Sequence, residues 1–329
     1  MAIYPFYNSL RNEVSKMNKG NFGLWFNKFI PLDDKTYKPT SNNNQNLYVE
    51  YCAEKSKSII KDSQKLLEQK HLNQINFIEA MRSLGYVEFV VHAKLISPLI
   101  TGIGETHPNE VGISFDHTMG IPYISASSIK GLVRIAATLN EIFDEQGRIK
   151  ENFTEEVIDD KNFEDLCNIF GYSEKNNSSR GMVIFLDSYP TKTPNLKVDI
   201  INPHYGPYYT DPEGKTPPAD YHKPVPIKFL VVEPGTEFVF RALISKDASG
   251  YMEKIKKAYD KALTVEGVGA KTSIGYGIFD KLTYDEPEEM KKIQNEQKKE
   301  KERKIEEEKR LKMGEELKKM SPLINYALK

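Results

Sequence analysis

The sequence predicts an α+β protein whose central domain follows the ferredoxin-like (RRM-like) order β-α-β-β-α-β. Residues 86–99 alternate between polar and apolar side chains and are rich in Val and Phe, which is typical of a strand. A helical pattern follows at residues 127–142. Two later apolar runs flank the turn-forming residues Pro234 and Gly235, and this arrangement predicts a β-hairpin.

A further helix precedes this domain. It ends at Gly85, because a glycine after a helical pattern is a stop signal. Periodicity and turn signals together predict helices at 51–84, 154–170 and 251–263, and strands at 182–186, 227–232, 237–244 and 276–282.

Two segments depart from the pattern. Residues 190–226 contain nine prolines in 37 positions, so they predict a long insertion in the domain and not a packed helical unit. Residues 284–320 carry 12 basic and 12 acidic residues, which is typical of a solvated helical tail. The predicted organisation is an N-terminal extension with a helix (1–85), the ferredoxin-like domain (86–283) and the charged tail (284–329).

Composition and charge restrict the function. The chain has 329 residues and a net charge of −1, whereas a protein that grips free nucleic acid alone is commonly basic. A subunit that shares an RNA with its neighbours needs fewer phosphate contacts of its own. Cys52 and Cys167 are far apart and form no CxxC motif, so we expect reduced cytoplasmic thiols and no zinc site. No apolar run approaches 18 residues and no signal peptide is visible, so we expect no membrane association.

The glycine loop, residues 267–277, is the most informative segment. It reads Gly-Val-Gly-Ala-Lys-Thr-Ser-Ile-Gly-Tyr-Gly and combines a lysine and two hydroxyls with a glycine-rich backbone, which suits a phosphate-bearing partner. It is not an NTP-binding P-loop, because Val265 and Ala270 occupy the positions where that motif requires glycine. A strand also follows the loop where a P-loop has a helix. A polynucleotide backbone is therefore the better candidate ligand.

A second segment has a similar character. Ser127 or Ser128 is predicted to cap the helix over 127–142, and Lys130 and Arg134 lie four residues apart on one face of it. Cations are unfavourable at the positive end of a helix dipole. Their presence there indicates that another molecule supplies an anion.

These two segments carry a family resemblance. Gly-x-Pro-Tyr-Ile-x-x-Ser-Ser-x-Lys-Gly-x-x-Arg (120–134), followed by the glycine loop, resembles the RAMP superfamily of type III CRISPR effector complexes. Residues 171–190 and 199–209 narrow the resemblance to the sixth-subunit family of Cmr, or type III-B, complexes. The similar region spans roughly 86–283 and leaves out the N-terminal extension and the tail.

The resemblance implies a ferredoxin-like fold and a non-catalytic subunit. No residue beside Asp116 and His117 completes a ligand set, so we expect no metal site, and we expect no cofactor. The implied partners are CRISPR RNA, whose 3′ part the subunit would hold, the other RAMP subunits and, indirectly, target RNA. His204 and Tyr205 belong to an aromatic cluster that either stacks on RNA bases or packs within the insertion. The candidate RNA-binding residues are Ser127, Ser128, Lys130, Arg134, His204, Tyr205, Gly267, Gly269, Lys271, Thr272 and Ser273.

Two other functions stay open on the sequence alone. A metal-independent RNA endoribonuclease would need two converging acid-base groups, for which His107, His117 and His204 are the candidates. A purely structural assembly subunit would need no RNA contact. A sister subunit of Cmr complexes cuts target RNA with an aspartate after its first strand, and Asp116 lies in roughly that region. Because the sixth-subunit family is not the nuclease, we expect Asp116 to be a turn residue.

Overall fold

The computed structural model describes residues 2–3, 18–30, 32–33, 44–104, 107, 111–144, 146–150, 164–174, 177–221, 224 and 226–327. The chain divides into two compact units, Met1–Asp285 and Glu286–Lys329. No helix within the described residues is long and apolar enough to cross a membrane.

The secondary structure alternates between helices and short strands along the first unit. The strands are β1 (Ala2–Ile3), β2 (Leu32–Asp33), β3 (Tyr86–Leu95), β4 (Gly171–Glu174), β5 (Asn177–Arg180), β6 (Val183–Phe185), β7 (Tyr189–Pro190), β8 (Leu196–Ile201), β9 (Ile227–Val232), β10 (Glu237–Ser245) and β11 (Phe279–Thr283). The α-helices are α1 (Phe22–Lys28), α2 (Asn44–Ile59), α3 (Gln64–Arg82), α4 (Ala126–Ile142), α5 (Glu164–Phe170), α6 (Gly206–Thr210), α7 (Met252–Lys261) and, in the second unit, α8 (Glu288–Ala327).

A five-stranded antiparallel sheet forms the centre of the first unit. Its order is β11-β3-β10-β6, and β7 also pairs with β10. The long β3–β10 ladder runs from Glu237 opposite Lys94 to Ser245 opposite Tyr86. On the other side of β10, Phe185 of β6 lies opposite Ala242. Antiparallel pairing together with interspersed helices confirms the predicted α+β class.

Helices α4 and α7 cover this sheet with their apolar faces. The buried residues of α4 include Ile129 and Val133, whose spacing of four places them on one face. From α7, Tyr259 is fully buried and its ring lies 5.0 Å from that of Phe89 in β3. All of these side chains belong to one hydrophobic core. At the start of α4, Ser127 and Ser128 remain exposed.

The N-terminal segment packs into the same core as the central domain. Phe22 and Trp25 of α1 are buried and stack with centroids 6.0 Å apart. Asn21 caps α1 and its side chain donates a hydrogen bond of 2.9 Å to the carbonyl of His117. The predicted helix over 51–84 is two helices, α2 and α3, because a 3₁₀ turn at Ile60–Ser63 separates them. Of the helix predicted over 154–170, residues 164–170 are helical and 154–163 lie outside the described residues.

The predicted β-hairpin of β9 and β10 is wrong. β9 pairs with β8 instead, with Leu196 opposite Val232, and the two form a separate antiparallel ladder. Both edges of β10 are occupied, by β3 on one side and by β6 and β7 on the other, so no edge is left for β9. The Pro-Gly turn instead connects β9 in one sheet to β10 in the other. Its Gly235 N–H donates a hydrogen bond of 2.6 Å to the carbonyl of Leu95 in β3. The Pro-rich segment thus supplies β8 and α6.

The second unit contains the 40-residue helix α8. Its ion pairs lie between residues three or four apart, such as Lys291 with Glu288 at 3.1 Å and Lys304 with Glu300 at 2.6 Å. Such exposed pairs contribute only about 0.3–0.5 kcal/mol each. Its charge pattern is that of a solvated helix.

Candidate nucleic-acid interface

The N-cap of helix α4 lies two or three residues before the predicted cap. Ser125 is the N-cap, because its backbone is extended (φ −67°, ψ 146°) and its hydroxyl accepts a hydrogen bond from Ser128 N–H. The prediction that Ser127 or Ser128 caps the helix is therefore wrong. Both lie within the first turn and are exposed. Asp187, which follows β6, fixes the helix start by accepting from Ala126 N–H at 2.8 Å.

Lys130 and Arg134 are the cations of this helix. Arg134 is exposed and Lys130 is half-buried. Among the residues that the structure describes, neither forms an ion pair with a carboxylate. Unpaired cations on a helix that also lacks acidic residues in its first turn leave this end of α4 positively charged. The site can attract an anion without first breaking an internal ion pair.

The glycines of the glycine loop are explained largely by the packing of the loop itself. A Cβ atom on Gly277 would lie 1.9 Å from the carbonyl oxygen of Val268, and one on Gly269 would lie 2.4 Å from that of Ile100. Both glycines also have positive φ, at 71° and 90°. The close backbone approach that the sequence suggests is therefore made within the protein. Only at Gly275, among these three, does a side chain meet open space.

Backbone hydrogen bonds hold part of the glycine loop in place and leave other N–H groups of the loop without an acceptor among the described residues. Val268 N–H donates to Gly277 at 2.9 Å, Ala270 N–H to Ile100 at 2.9 Å, and Gly277 N–H to Pro98 at 2.8 Å. Within the described part of the chain, four backbone N–H groups of the loop have no acceptor. They belong to Gly269, Lys271, Thr272 and Ser273. Consecutive free N–H groups in a turn are a recurrent anion-binding feature.

A groove brings the first turns of α4 and the glycine loop together. It has a volume of about 380 Å³. One wall is Ser128, Leu132 and Ile135 of α4, and the loop after β3 (101–104) forms another side. The third wall is the glycine loop, including Gly267, Gly269 and Thr272. The two segments that the sequence predicts to bind phosphate thus face one space.

A second groove lies on the opposite side of the same turn. Ser127 and Lys130 of α4 line it together with Arg180 at the end of β5 and with β6, and its volume is about 240 Å³. Arg180 is exposed and, among the described residues, it has no carboxylate partner. The sequence did not indicate Arg180, because a single arginine in a loop-like stretch carries no pattern.

The Lys271 side chain lies against two aromatic rings of the protein. Its ammonium lies 4.8 Å from the centre of the Phe229 ring and 5.3 Å from that of Tyr276. The Tyr276 hydroxyl donates to Asp199 at 2.7 Å. Burial lowers the pKa of Lys271, and the nearby charge of Asp199 opposes that shift. In this arrangement the side chain contacts the protein rather than reaching into the groove.

His204 and Tyr205 lie between β8 and α6. His204 is exposed, and the Tyr205 hydroxyl is 3.4 Å from a carboxylate oxygen of Asp220. No hydrogen bond or ring contact in the described part of the chain joins either residue to α4 or to the glycine loop. The structure therefore leaves these two predicted residues outside the groove.

The groups considered for RNA cleavage have other surroundings. His107 is buried and stacks on Phe26 with ring centroids 4.6 Å apart, and burial lowers its pKa. Asp116 accepts hydrogen bonds from Thr118 and from Tyr189, the latter at 2.9 Å. Burial raises the pKa of Asp116, but these hydrogen bonds outweigh burial and hold it below its usual value. Among the described residues, no group of three or more His, Cys, Asp or Glu side chains could hold a metal ion.

Comparison with known proteins identifies the family. The profile of the RAMP superfamily matches residues 92–280, which is more than half of the chain. The chain belongs to the RAMP superfamily. This RAMP protein is 29% identical over 335 residues to the CRISPR system Cmr subunit Cmr6 of Pyrococcus furiosus, an alignment that covers 80% of this chain and 95% of the relative. It is 28% identical over 213 residues to Cmr6 of Saccharolobus solfataricus, covering 62% of each chain.

Solved structures agree with this placement. The RAMP protein is similar to a chain in the cryo-EM structure of the type III-B Cmr-beta complex bound to cognate target RNA, with a TM-score of 0.50 and 25% identity. That match covers 79% of this chain and 80% of the other. The resemblance to the RAMP superfamily and to the sixth Cmr subunit is confirmed.

Proposed function

We propose that this RAMP protein is a non-catalytic, CRISPR RNA-binding subunit of a type III-B (Cmr) effector complex and that it holds the 3′ part of the guide. The observation that carries the proposal is the groove where α4 faces the glycine loop. The cations of α4 that are unpaired among the described residues lie outside this groove, and Lys130 lines the second groove together with Arg180. Similarity to Cmr6 and to a chain of a complex bound to target RNA supports it. Its partners would be the guide, neighbouring RAMP subunits and, indirectly, the target.

We also assign the central domain to the ferredoxin-like type. The sheet order β11-β3-β10-β6 supports this assignment. α4 connects β3 to β6, and α7 connects β10 to β11, so the core order is β-α-β-β-α-β once β8 and β9 are set aside as an insertion. In this arrangement the start of α4 and the glycine loop, which follows the end of α7, lie at one end of the domain.

The binding mechanism is electrostatic and independent of base sequence. Lys130 and Arg134 would neutralise phosphates, while the free N–H groups of Thr272 and Ser273 and the hydroxyl of Ser128 would donate hydrogen bonds to phosphate oxygens. A guide-binding subunit has to accept every spacer sequence, and contacts of this kind carry no base information. The near-zero net charge fits a subunit that contributes a few contacts to an RNA held by several chains.

The surroundings of the histidines favour binding over cleavage. General acid-base cleavage needs two groups in reach of one phosphate, and His107 is buried against Phe26. His117 and His204 are exposed, but they lie on different segments, before α4 and after β8. Asp116 is engaged by Thr118 and Tyr189, which suits a structural role.

Incubating the purified protein with labelled CRISPR RNA in EDTA tests this function. We expect a retarded complex from which full-length RNA is recovered. Shortened RNA would support a metal-independent endoribonuclease. Neither retardation nor cleavage, together with normal incorporation into the assembled complex, would support a purely structural subunit and contradict the proposal.

A further inference from the structure

Lys271 has an unusual backbone conformation for a lysine. Its φ is +62°, in the left-handed region that residues with a Cβ atom rarely adopt. Among the described residues, only Lys281 shares a positive φ without being glycine. Such conformations persist where the surroundings enforce them, and they are common at functional sites.

The main-chain carbonyl of Lys271 is the corner of the glycine loop. It accepts hydrogen bonds from Ile274 N–H at 3.2 Å and from Tyr276 N–H at 3.3 Å. These bonds close the short 3₁₀ turn Thr272–Ile274, which carries two of the free N–H groups of the glycine loop. The position of Lys271 therefore determines where those donors lie.

Its side chain is fixed on the other side by a cluster that we call the aromatic latch, made of Lys271, Phe229, Tyr276 and Asp199. The ammonium lies over two rings, at 4.8 Å from Phe229 and 5.3 Å from Tyr276, and both distances are within the range of a cation–π contact. Tyr276 in turn donates its hydroxyl to Asp199 at 2.7 Å. Asp199 belongs to β8 and Phe229 to β9, so the latch joins the β8–β9 ladder to the glycine loop.

We propose that Lys271 is a positioning residue rather than a phosphate ligand. Its ammonium fastens the glycine loop to the β8–β9 ladder, and the fastened loop presents its backbone N–H groups to RNA. This inference rests on the proposed RNA-binding function and changes the role of one residue within it. It also gives the β8–β9 ladder a role in RNA binding, because Asp199 of β8 and Phe229 of β9 are two of the four latch residues.

Substitutions in the latch distinguish a positioning role of Lys271 from a phosphate-ligand role. Lys271→Met removes the charge but keeps the length of the side chain, and Tyr276→Phe removes the hydrogen bond to Asp199 but keeps the ring. We expect each to weaken RNA binding about three- to tenfold. The slope of log affinity against log salt concentration should stay unchanged, because no phosphate contact is lost. Lys271→Arg should restore affinity, because a guanidinium also stacks on aromatic rings.

Combining the two changes provides a test of coupling. If both act through the latch, the double variant Lys271→Met/Tyr276→Phe should lose little more affinity than either single variant. A phosphate-ligand role predicts a different set of results. Lys271→Met would lower the salt slope by about 0.7, the value for one phosphate contact on single-stranded RNA, and Tyr276→Phe would leave affinity unchanged. That pattern would overturn the proposal.

Amide hydrogen exchange without RNA tests the latch independently of the proposed function. We expect the amides of residues 269–276 to exchange faster in Lys271→Met and Tyr276→Phe than in the wild-type protein, with the β3–β10 ladder unchanged. Unchanged exchange in the loop would overturn the latch even if RNA binds. Faster exchange in a protein that binds no RNA would sustain the latch and refute the proposed function instead.

Discussion

The backbone of the glycine loop passes so close to neighbouring carbonyl groups that several of its glycines leave no space for a side chain. Gly277 and Gly269 meet Val268 and Ile100 in this way, whereas Gly275 faces open space. The loop is thus a compact turn whose shape depends on internal packing. In the proposed RNA binding, the loop would contribute through the N–H groups that this shape leaves free.

Substituting glycines one at a time tests that explanation. Gly275→Ala should lower the free energy of unfolding by only about 1–2 kcal/mol, the cost of a side chain at positive φ. Gly277→Ala meets the same backbone penalty and also a carbonyl oxygen, so it should cost at least about 3 kcal/mol. Urea denaturation of both variants measures the difference. Equal losses at the two positions would contradict the packing explanation.

At the scale of elements, the sequence predicted the central sheet better than its attachments. Strand β3 and helices α4 and α7 carry a period-two or period-3.6 pattern, because each has a buried and a more exposed face. Strand β10 is buried almost throughout and was recognisable as a nearly continuous apolar run. The pairing of β9 was not predictable in this way, since it depends on which sheet edges remain open. The cap Ser125 lies among three serines with equal local propensity, so only its extended backbone distinguishes it.

The sequence likewise indicated some residues of the candidate site and missed others. The sequence placed Ser128 and the glycine loop at one site because both segments combine hydroxyls, lysine and a turn or helix start. It did not indicate Arg180, Phe229 or Asp199, whose importance depends on three-dimensional proximity. It also assigned the side chain of Lys271 to RNA, since a lysine among glycines has no visible internal partner in the sequence.

Helix α3 is fastened to the central sheet by a buried polar cluster. His71 Nδ1 accepts from the Arg241 guanidinium at 2.9 Å, so Nε2 carries the proton that it donates to the Pro190 carbonyl at 2.9 Å. Arg241 also donates to Gln74 at 2.7 Å. Burial, and then the charge of Arg241, lowers the pKa of His71 to about 3. The folded protein thus holds this imidazole neutral.

This cluster makes the attachment of α3 acid-sensitive. The unfolded chain binds a proton at His71 near pH 6.5 and the folded chain only near pH 3, so stability falls as pH decreases between these values. The contribution is at most about 1.4 kcal/mol per pH unit. In urea titrations from pH 7 to pH 4, His71→Gln should show a shallower loss than wild type, whereas the exposed control His117→Gln should not. Identical pH dependence in all three proteins would contradict the assignment.

At the scale of the whole molecule, acidic and basic residues nearly balance, so attraction of an anion depends on local groups of cations. The net charge is −1, and residues 284–320 contain equal numbers of acidic and basic residues. Balanced charge exerts no net attraction on a polyanion beyond a Debye length. The unpaired cations near the start of α4 therefore matter more than the overall charge.

The charged tail should be dispensable for RNA binding. Ending the chain after Pro287 removes α8 and leaves the groove residues in place. We expect guide affinity to stay within about threefold of wild type, because a neutral segment releases few counterions. Affinity measurements and reconstitution of the complex check this. A truncated protein that is folded but no longer assembles would identify α8 as a partner-binding helix.

The central claim is that α4 and the glycine loop grip an RNA backbone without reading its sequence. Its most direct test is a salt titration of RNA affinity with two unrelated guide sequences, comparing wild type with Lys130→Ala/Arg134→Ala. The control is Lys57→Ala, which removes a cation already paired with Glu54 on α2. We predict equal affinity for both guides and a salt slope lower by about 1.4 in the double variant, equivalent to two phosphate contacts. An unchanged slope in a folded double variant, or a strong preference for one guide, would contradict the account.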